Sequence, residues 1–93
     1  MIQSFRSKET AKIFEGRFSR KFPRDIQQRA LNKLRLIASV TQLETLKVPP
    51  SNHLEALRGD RTGQHSIRIN QQWRICFIWK DGNAHDAEII DYH

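Results

Sequence analysis

The chain lacks most of what would widen its range of functions. Its 93 residues include one cysteine, Cys76, so no disulfide framework can form. No run approaches the ~20 apolar residues that a membrane-spanning helix needs. The opening MIQSFRSK has no apolar signal region. Neither Cys-x-x-Cys nor His-Glu-x-x-His occurs, and His53, His65, His85 and His93 are scattered, so metal ligation is poorly supported. There is no glycine-rich phosphate loop and no nucleophile elbow. No internal repeat, linker or low-complexity stretch divides the chain. The expectation is one small cytoplasmic domain over 1–93, with no cofactor and no membrane partner. A chain this size buries roughly 60–65% of its unfolded surface, which favours a shallow face for a large partner over a deep cavity.

Acidic residues are also few. Ten Asp and Glu stand against sixteen Lys and Arg, a formal charge of +6. That balance draws polyanions, nucleic acid first among them. Ten of the sixteen cations are arginine. Guanidinium groups make planar, bidentate contacts with phosphate and stack on bases, which ammonium groups cannot do.

Apolar spacing outlines the elements. Ile2 to Phe5 alternates like a short strand. Ser7 is placed to cap a helix, with Glu9 in its first turn. Ala11, Phe14, Phe18 and Phe22 recur at three- and four-residue steps, interrupted by Gly16. Pro23 separates this helix from a second one, whose apolar face is Ile26, Ala30, Leu31, Leu34, Ile37 and Ala38. Thr41 to Leu46 suggests a short helical turn, and Pro49-Pro50 ends it. His65 to Ile69, Trp73 to Lys80 and Ala84 to His93 read as strands joined by turns at Asn70-Gln71-Gln72 and Asp81-Gly82-Asn83. In the long middle strand Trp73, Ile75, Phe77 and Trp79 share one face, as core under the helices, and Arg74 and Cys76 share the other. The predicted class is α+β: an N-terminal helical hairpin on one face of a small, mainly antiparallel sheet of about four strands.

Three groups of residues carry possible chemistry. The apolar run Ile89-Ile90 should deliver Asp91, Tyr92 and His93 on a strand, with Asp91 and His93 on one face. Imidazole moves protons near neutral pH, and a carboxylate can orient it or act as the base. Arg68 and Arg74 flank the Asn70 turn, and Arg58 lies in the preceding loop. If Arg68 and Arg74 meet the terminal cluster, the site would hold both proton-transfer groups and charge stabilisation for a crowded phosphorane. His53, in the loop after Pro49-Pro50, is readily aimed at such a site. Two other readings compete: a basic nucleic-acid-binding module without chemistry, and an interaction protein that docks through the basic second helix.

Asn52-His53-Leu54-Glu55-Ala56-Leu57-Arg58-Gly59-Asp60-Arg61, followed by Ser66-Ile67-Arg68-Ile69-Asn70-Gln71-Gln72-Trp73-Arg74-Ile75-Cys76-Phe77, resembles the HigB group of bacterial type II toxins in the RelE-like superfamily. Ile89 to His93, Phe14-Glu15-Gly16 and Lys21-Phe22-Pro23 extend the resemblance over nearly the whole chain. It implies a RelE-like microbial RNase fold and a ribosome-dependent endoribonuclease, or mRNA interferase. Such an enzyme cuts mRNA in the ribosomal A site without metal, leaving a 2′,3′-cyclic phosphate and a 5′-hydroxyl, and so arrests translation and growth. By position, Asp91, Tyr92, His93 and His53 would inherit proton transfer, with His53 or Asp91 as base and His93 as acid, or the reverse. Arg58, Arg68 and Arg74 would meet phosphate and rRNA; position 58 often holds lysine in such sequences, and arginine keeps the charge. The implied partners are the bacterial ribosome, mRNA and a HigA-type helix-turn-helix antitoxin, through which alone the toxin would reach operator DNA.

Overall fold

The computed structural model describes residues 1–92. Two helices pack on one face of a four-stranded antiparallel sheet of order β1-β2-β3-β4. Helix α1 runs over Lys8–Phe14 and α2 over Arg24–Ser39. The strands are β1 Glu55–Ala56, β2 His65–Arg68, β3 Trp73–Lys80 and β4 Asn83–Asp91.

Helix α1 starts where its cap dictates. The Ser7 hydroxyl accepts the Thr10 N–H at 3.2 Å, meeting one of the amide donors that a helix start leaves unpaired. It ends after seven residues, because Gly16 takes a left-handed conformation (φ 81°) that an L side chain resists. This shortens the helix that three- and four-residue spacing extends toward Phe22. The buried side of α1 is Thr10 and Ile13. Phe18 lies beyond the helix and is 53% exposed, with the Arg24 guanidinium 5.0 Å from its ring centroid. Phe22 is buried, but from the connecting loop. Gln27 holds that loop: its Nε2 donates to the carbonyls of Ser19 and Phe22, and its Oε1 accepts the Ser19 N–H.

Helix α2 buries the expected stripe of Ile26, Ala30, Leu31, Leu34 and Ile37. Each large aliphatic group there contributes about 1.5–3 kcal/mol by leaving water. These residues meet Ile67, Ile75, Phe77 and Ile89 of the sheet, with Trp73 and Trp79 at the margins, as the period-two pattern predicts. Asp81 and Gly82, both with positive φ, make the tight β3–β4 turn, whose flanks Lys80 and Asn83 pair directly.

Two features of the sheet differ from expectation. Glu55–Ala56 forms the edge strand β1, paired with Ser66 and His65. Two residues are too few to display alternation. Ile2 to Phe5, expected as a strand, instead makes isolated parallel bridges to Ala84 and Ala87 on the outer edge of β4. Between those bridges β4 bulges, with Asp86 at φ 53°. The Asp86 carboxylate accepts from the Ser4 hydroxyl, and the Asp86 N–H donates to it.

Candidate functional site

The sheet face away from the helices carries Ser66, Arg68, Arg74, Cys76, Glu88 and Ile90, by strand alternation and register. Part of it is roofed. Leu57 is buried there, its N–H donating to the Gln64 carbonyl, and Arg61 reaches Glu88 at 3.3 Å. Cys76 is fully buried beneath, and burial pushes its thiol above the ordinary value. The open remainder is a groove of about 420 Å³ lined by Glu55, Ala56, Leu57, Arg58 and Tyr92.

Arg74 organises the groove. It is 4% exposed, and every branch of its guanidinium is engaged. Nε donates to the Ser66 hydroxyl at 2.8 Å, Nη2 donates to the His53 carbonyl at 2.6 Å, and Nη1 lies 3.2 Å from the Glu55 carboxylate. The Tyr92 ring centroid is 5.4 Å from its Cζ. A single cation therefore fixes β1, β2, β3, the loop before β1 and the end of β4 against one another. Sequence reasoning identifies Arg74 as a phosphate contact; its neighbours make it first a buried clamp.

His53 is held by its backbone. It adopts a left-handed conformation (φ 46°, ψ 56°) after the 3-10 turn Pro50–Asn52. Asn52, fully buried, donates from Nδ2 to the carbonyls of Leu46 and Val48, and its Oδ1 accepts from the Lys33 ammonium. The His53 side chain lines a second cleft, of about 260 Å³, between α2 and the β2–β3 turn. Arg68, Arg29 and Lys33 share that cleft. Arg74 joins the two recesses, since it holds the His53 carbonyl on one side and meets Tyr92 on the other.

Asp91 stands elsewhere. It pairs with Trp73, which puts it on the helix side of the sheet at the exposed end of β4, whereas Ile90 pairs with Arg74. Gln72 grips this end twice: its Nε2 donates to the Asp91 carboxylate at 3.1 Å, and its carbonyl accepts the Tyr92 N–H at 2.6 Å. The structure thus brings Tyr92, Arg58 and Arg74 together, sets Arg68 directly opposite Arg74 on the β2–β3 hairpin with His53 lining a cleft beside it, and leaves Asp91 at the margin rather than on Arg74's face. His93 lies outside the described residues. Among the described residues, Arg58 and Arg68 have no carboxylate partner within ion-pair distance, and no group of three or more His, Cys, Asp or Glu side chains is arranged to hold a metal ion. Ser66, Glu55, Asn52 and Gln72 are site-building residues that sequence reasoning missed. Strand alternation, which sets Ser66 on the face opposite Ile67, is the one sequence signal that points toward any of them.

Known proteins share this arrangement of elements. Residues 3–93 match the family model described as the RelE-like toxin of the type II toxin–antitoxin system HigB. Toxin HigB-1 of Vibrio cholerae is 33% identical over 85 residues, covering 90% of each chain. Endoribonuclease HigB of Proteus vulgaris is 32% identical over 93 residues, the full length of both. Among solved structures, a point mutant of YafQ from E. coli superposes with a TM-score of 0.62 at 14% identity, covering 98% of this chain and 91% of that one. The heterotetrameric YoeB–YefM toxin–antitoxin complex from Staphylococcus aureus gives 0.56 at 19% identity, covering 100% and 95%. Those two likenesses are of fold. The family match over nearly the whole length, with curated relatives at about a third identity, is of descent: this chain belongs to the HigB family, the RelE-like toxins of type II toxin–antitoxin systems.

Proposed function

We propose that this toxin is a ribosome-dependent endoribonuclease that cuts mRNA in the ribosomal A site. The observation that carries the reading is the Arg74 clamp. One buried guanidinium holds the His53 carbonyl and lies against Tyr92; His53 and Arg68 line the recess on one side of it, and Arg58 and Tyr92 line the recess on the other. The full-length relative from Proteus vulgaris is named an endoribonuclease, which supports the same chemistry here.

In this reading a base, His53 or Asp91, takes the proton of an RNA 2′-hydroxyl. The 2′-oxygen attacks the adjacent phosphorus, the bond to the 5′-oxygen breaks, and His93 protonates that oxygen. The products are a 2′,3′-cyclic phosphate and a 5′-hydroxyl. Arg58 and Arg68, which have no carboxylate partner among the described residues, stabilise the charge that builds on the phosphoryl oxygens. Arg74 is a positioning residue. The two recesses are shallow and cannot orient flexible RNA, so the ribosome supplies the alignment. A HigA-type antitoxin is the partner that restrains the toxin.

The test adds purified toxin to a translating extract and maps new mRNA 5′ ends with and without ribosomes. Cuts at in-frame codon positions on translated messages, lost in a folded His93→Gln variant, are the expected result. Cleavage of naked RNA alone, or none at all, refutes the proposal. If His93→Gln behaves like the wild type while Arg68→Ala weakens RNA binding, the protein is a non-catalytic binder.

A further inference from the structure

Phe18 is a large aromatic side chain that the fold leaves in water. It stands 53% exposed in the loop between α1 and α2. A loose loop could turn such a ring inward, but this one is pinned on both sides of it. The Arg17 N–H donates to the Lys12 carbonyl at 2.9 Å. Ser19 is fully buried: its N–H donates to Gln27 Oε1, its carbonyl accepts from Gln27 Nε2, and its hydroxyl donates to the Glu9 carboxylate. The ring is therefore displayed in a fixed place, with the Arg24 guanidinium 5.0 Å from its centroid.

A lone exposed ring is ordinary. This one walls a notch of about 170 Å³ between the end of α1 and α2, which Ile13 and Leu31 also line. Gly16 leaves the rim open, since a Cβ there would meet nothing within 4 Å. The notch is smaller than small-molecule sites, which start at roughly 300 Å³, and suits one bulky apolar side chain. The segment that carries it is cationic. Arg17, Arg20, Lys21 and Arg24 are all exposed, and among the described residues Arg20 and Arg24 make no ion pair. The notch shares no residue with either recess of the site described above.

We infer that this notch docks the antitoxin, through an acidic segment that carries one bulky apolar anchor. The occupant rests on the partner proposed above; the surface does not depend on RNA cutting. Aromatic and arginine side chains are the usual anchors of protein interfaces. The pinned loop leaves little to be ordered on binding. Arg20 and Arg24 complement carboxylates on the incoming segment. RNA fits less well. Glu15 and Asp25 stand exposed at either end of the cationic segment and would repel a phosphate chain. Arg24 also occupies ring surface on which a base would stack.

Purified toxin variants are titrated with the cognate antitoxin by calorimetry, and their mRNA cutting is measured in the translating extract. Phe18→Ala should weaken antitoxin binding about thirtyfold, the size of losing an interface anchor. Arg24→Glu should weaken it about tenfold, and by less at high salt, where charge is screened. Neither change should disturb folding, because Phe18 is half in water and an acid suits the first turn of α2. Both variants should cut translated mRNA as the wild type does. In the unsubstituted complex, amide exchange over residues 16–20 should slow. Unchanged affinity in a folded Phe18→Ala variant, or unchanged exchange over residues 16–20, overturns the inference. So does a Phe18→Ala variant that binds the antitoxin normally but cuts poorly, which would make the notch a ribosome contact. The two readings fail separately. A toxin that binds the antitoxin through Phe18 yet cuts nothing on ribosomes refutes only the nuclease. One that cuts normally while Phe18→Ala binds unchanged refutes only the docking notch. A wild-type toxin that binds no antitoxin refutes the partner and the notch together.

Discussion

Replacing Arg74 should damage the fold as much as any chemistry. In Arg74→Met the Ser66 hydroxyl, which is fully buried, and the His53 carbonyl both lose their donor. Hydrogen bonds to a charged group are each worth about 1.5–3 kcal/mol when one partner is removed. The half-exposed Glu55 adds under ~1 kcal/mol, because solvent screens it. Release of a buried guanidinium from its desolvation cost offsets part of the loss. The balance is a destabilisation of about 2–4 kcal/mol, or a fall of roughly 10–20 °C in melting temperature for a domain this size. Arg74→Lys keeps the charge but cannot reach three acceptors in one plane, so it should lose about 2 kcal/mol. Thermal denaturation followed by circular dichroism reads both. If both variants melt within about 3 °C of the wild type while cleavage disappears, Arg74 is a phosphate contact and the clamp argument is wrong.

Three further outcomes follow from other contacts. Thr10→Val removes the hydroxyl that accepts the Ile89 N–H at 3.0 Å in the interior, and urea denaturation should show a loss of about 1–3 kcal/mol; an unchanged midpoint would mean the amide finds another partner. Asn52→Ala frees two loop carbonyls and the Lys33 ammonium, so it should lower stability by about 2–4 kcal/mol and loosen His53, read as faster amide exchange over residues 46–53; full protection there would refute the tether. The Glu9 carboxyl is held below its ordinary 4.5 by the Ser19 hydroxyl first, with Lys12 assisting against the opposing effect of burial. A depressed folded value stabilises above 4.5 and is lost as the pH falls through it, so Glu9→Gln should melt lower at neutral pH and show a shallower decline in acid; parallel acid profiles for the two proteins would exclude this.

The parts legible in the sequence are those with enough residues to show a period. Strand β3 spans eight residues, so Trp73, Ile75, Phe77 and Trp79 declare their face, and α2 spans sixteen, so its buried stripe is plain. Phe18 misleads because a spacing of three or four carries meaning only while the helix continues, and the left-handed Gly16 ends it. Strand β1 is invisible because two residues have no period. The site divides in the same way. Arg58, Arg68, His53 and Tyr92 are recognisable by residue type and by resemblance. The clamp is not, because Arg74 is made a buried hub by Ser66, Glu55 and a backbone carbonyl at position 53, three partners drawn from separate segments. Asp91 shows the limit of alternation: the strand pattern separates it from Tyr92, but only the register with Trp73 says which of the two joins Arg74.

The lacing of residues 1–6 along β4 bears on how the protein is made. Gln3 and Arg6 donate to the carbonyls of Ala84 and Ala87, and the N–H groups of Ala84 and Ala87 donate back to Met1 and Ser4. Synthesis runs from the amino to the carboxyl end, so residues 1–6 stay without their mate until some eighty more residues have been added. A nascent chain stopped before residue 84 has neither the laced edge nor the strand that brings Tyr92 to Arg74. The groove beside Tyr92 therefore closes only after β4 has been translated.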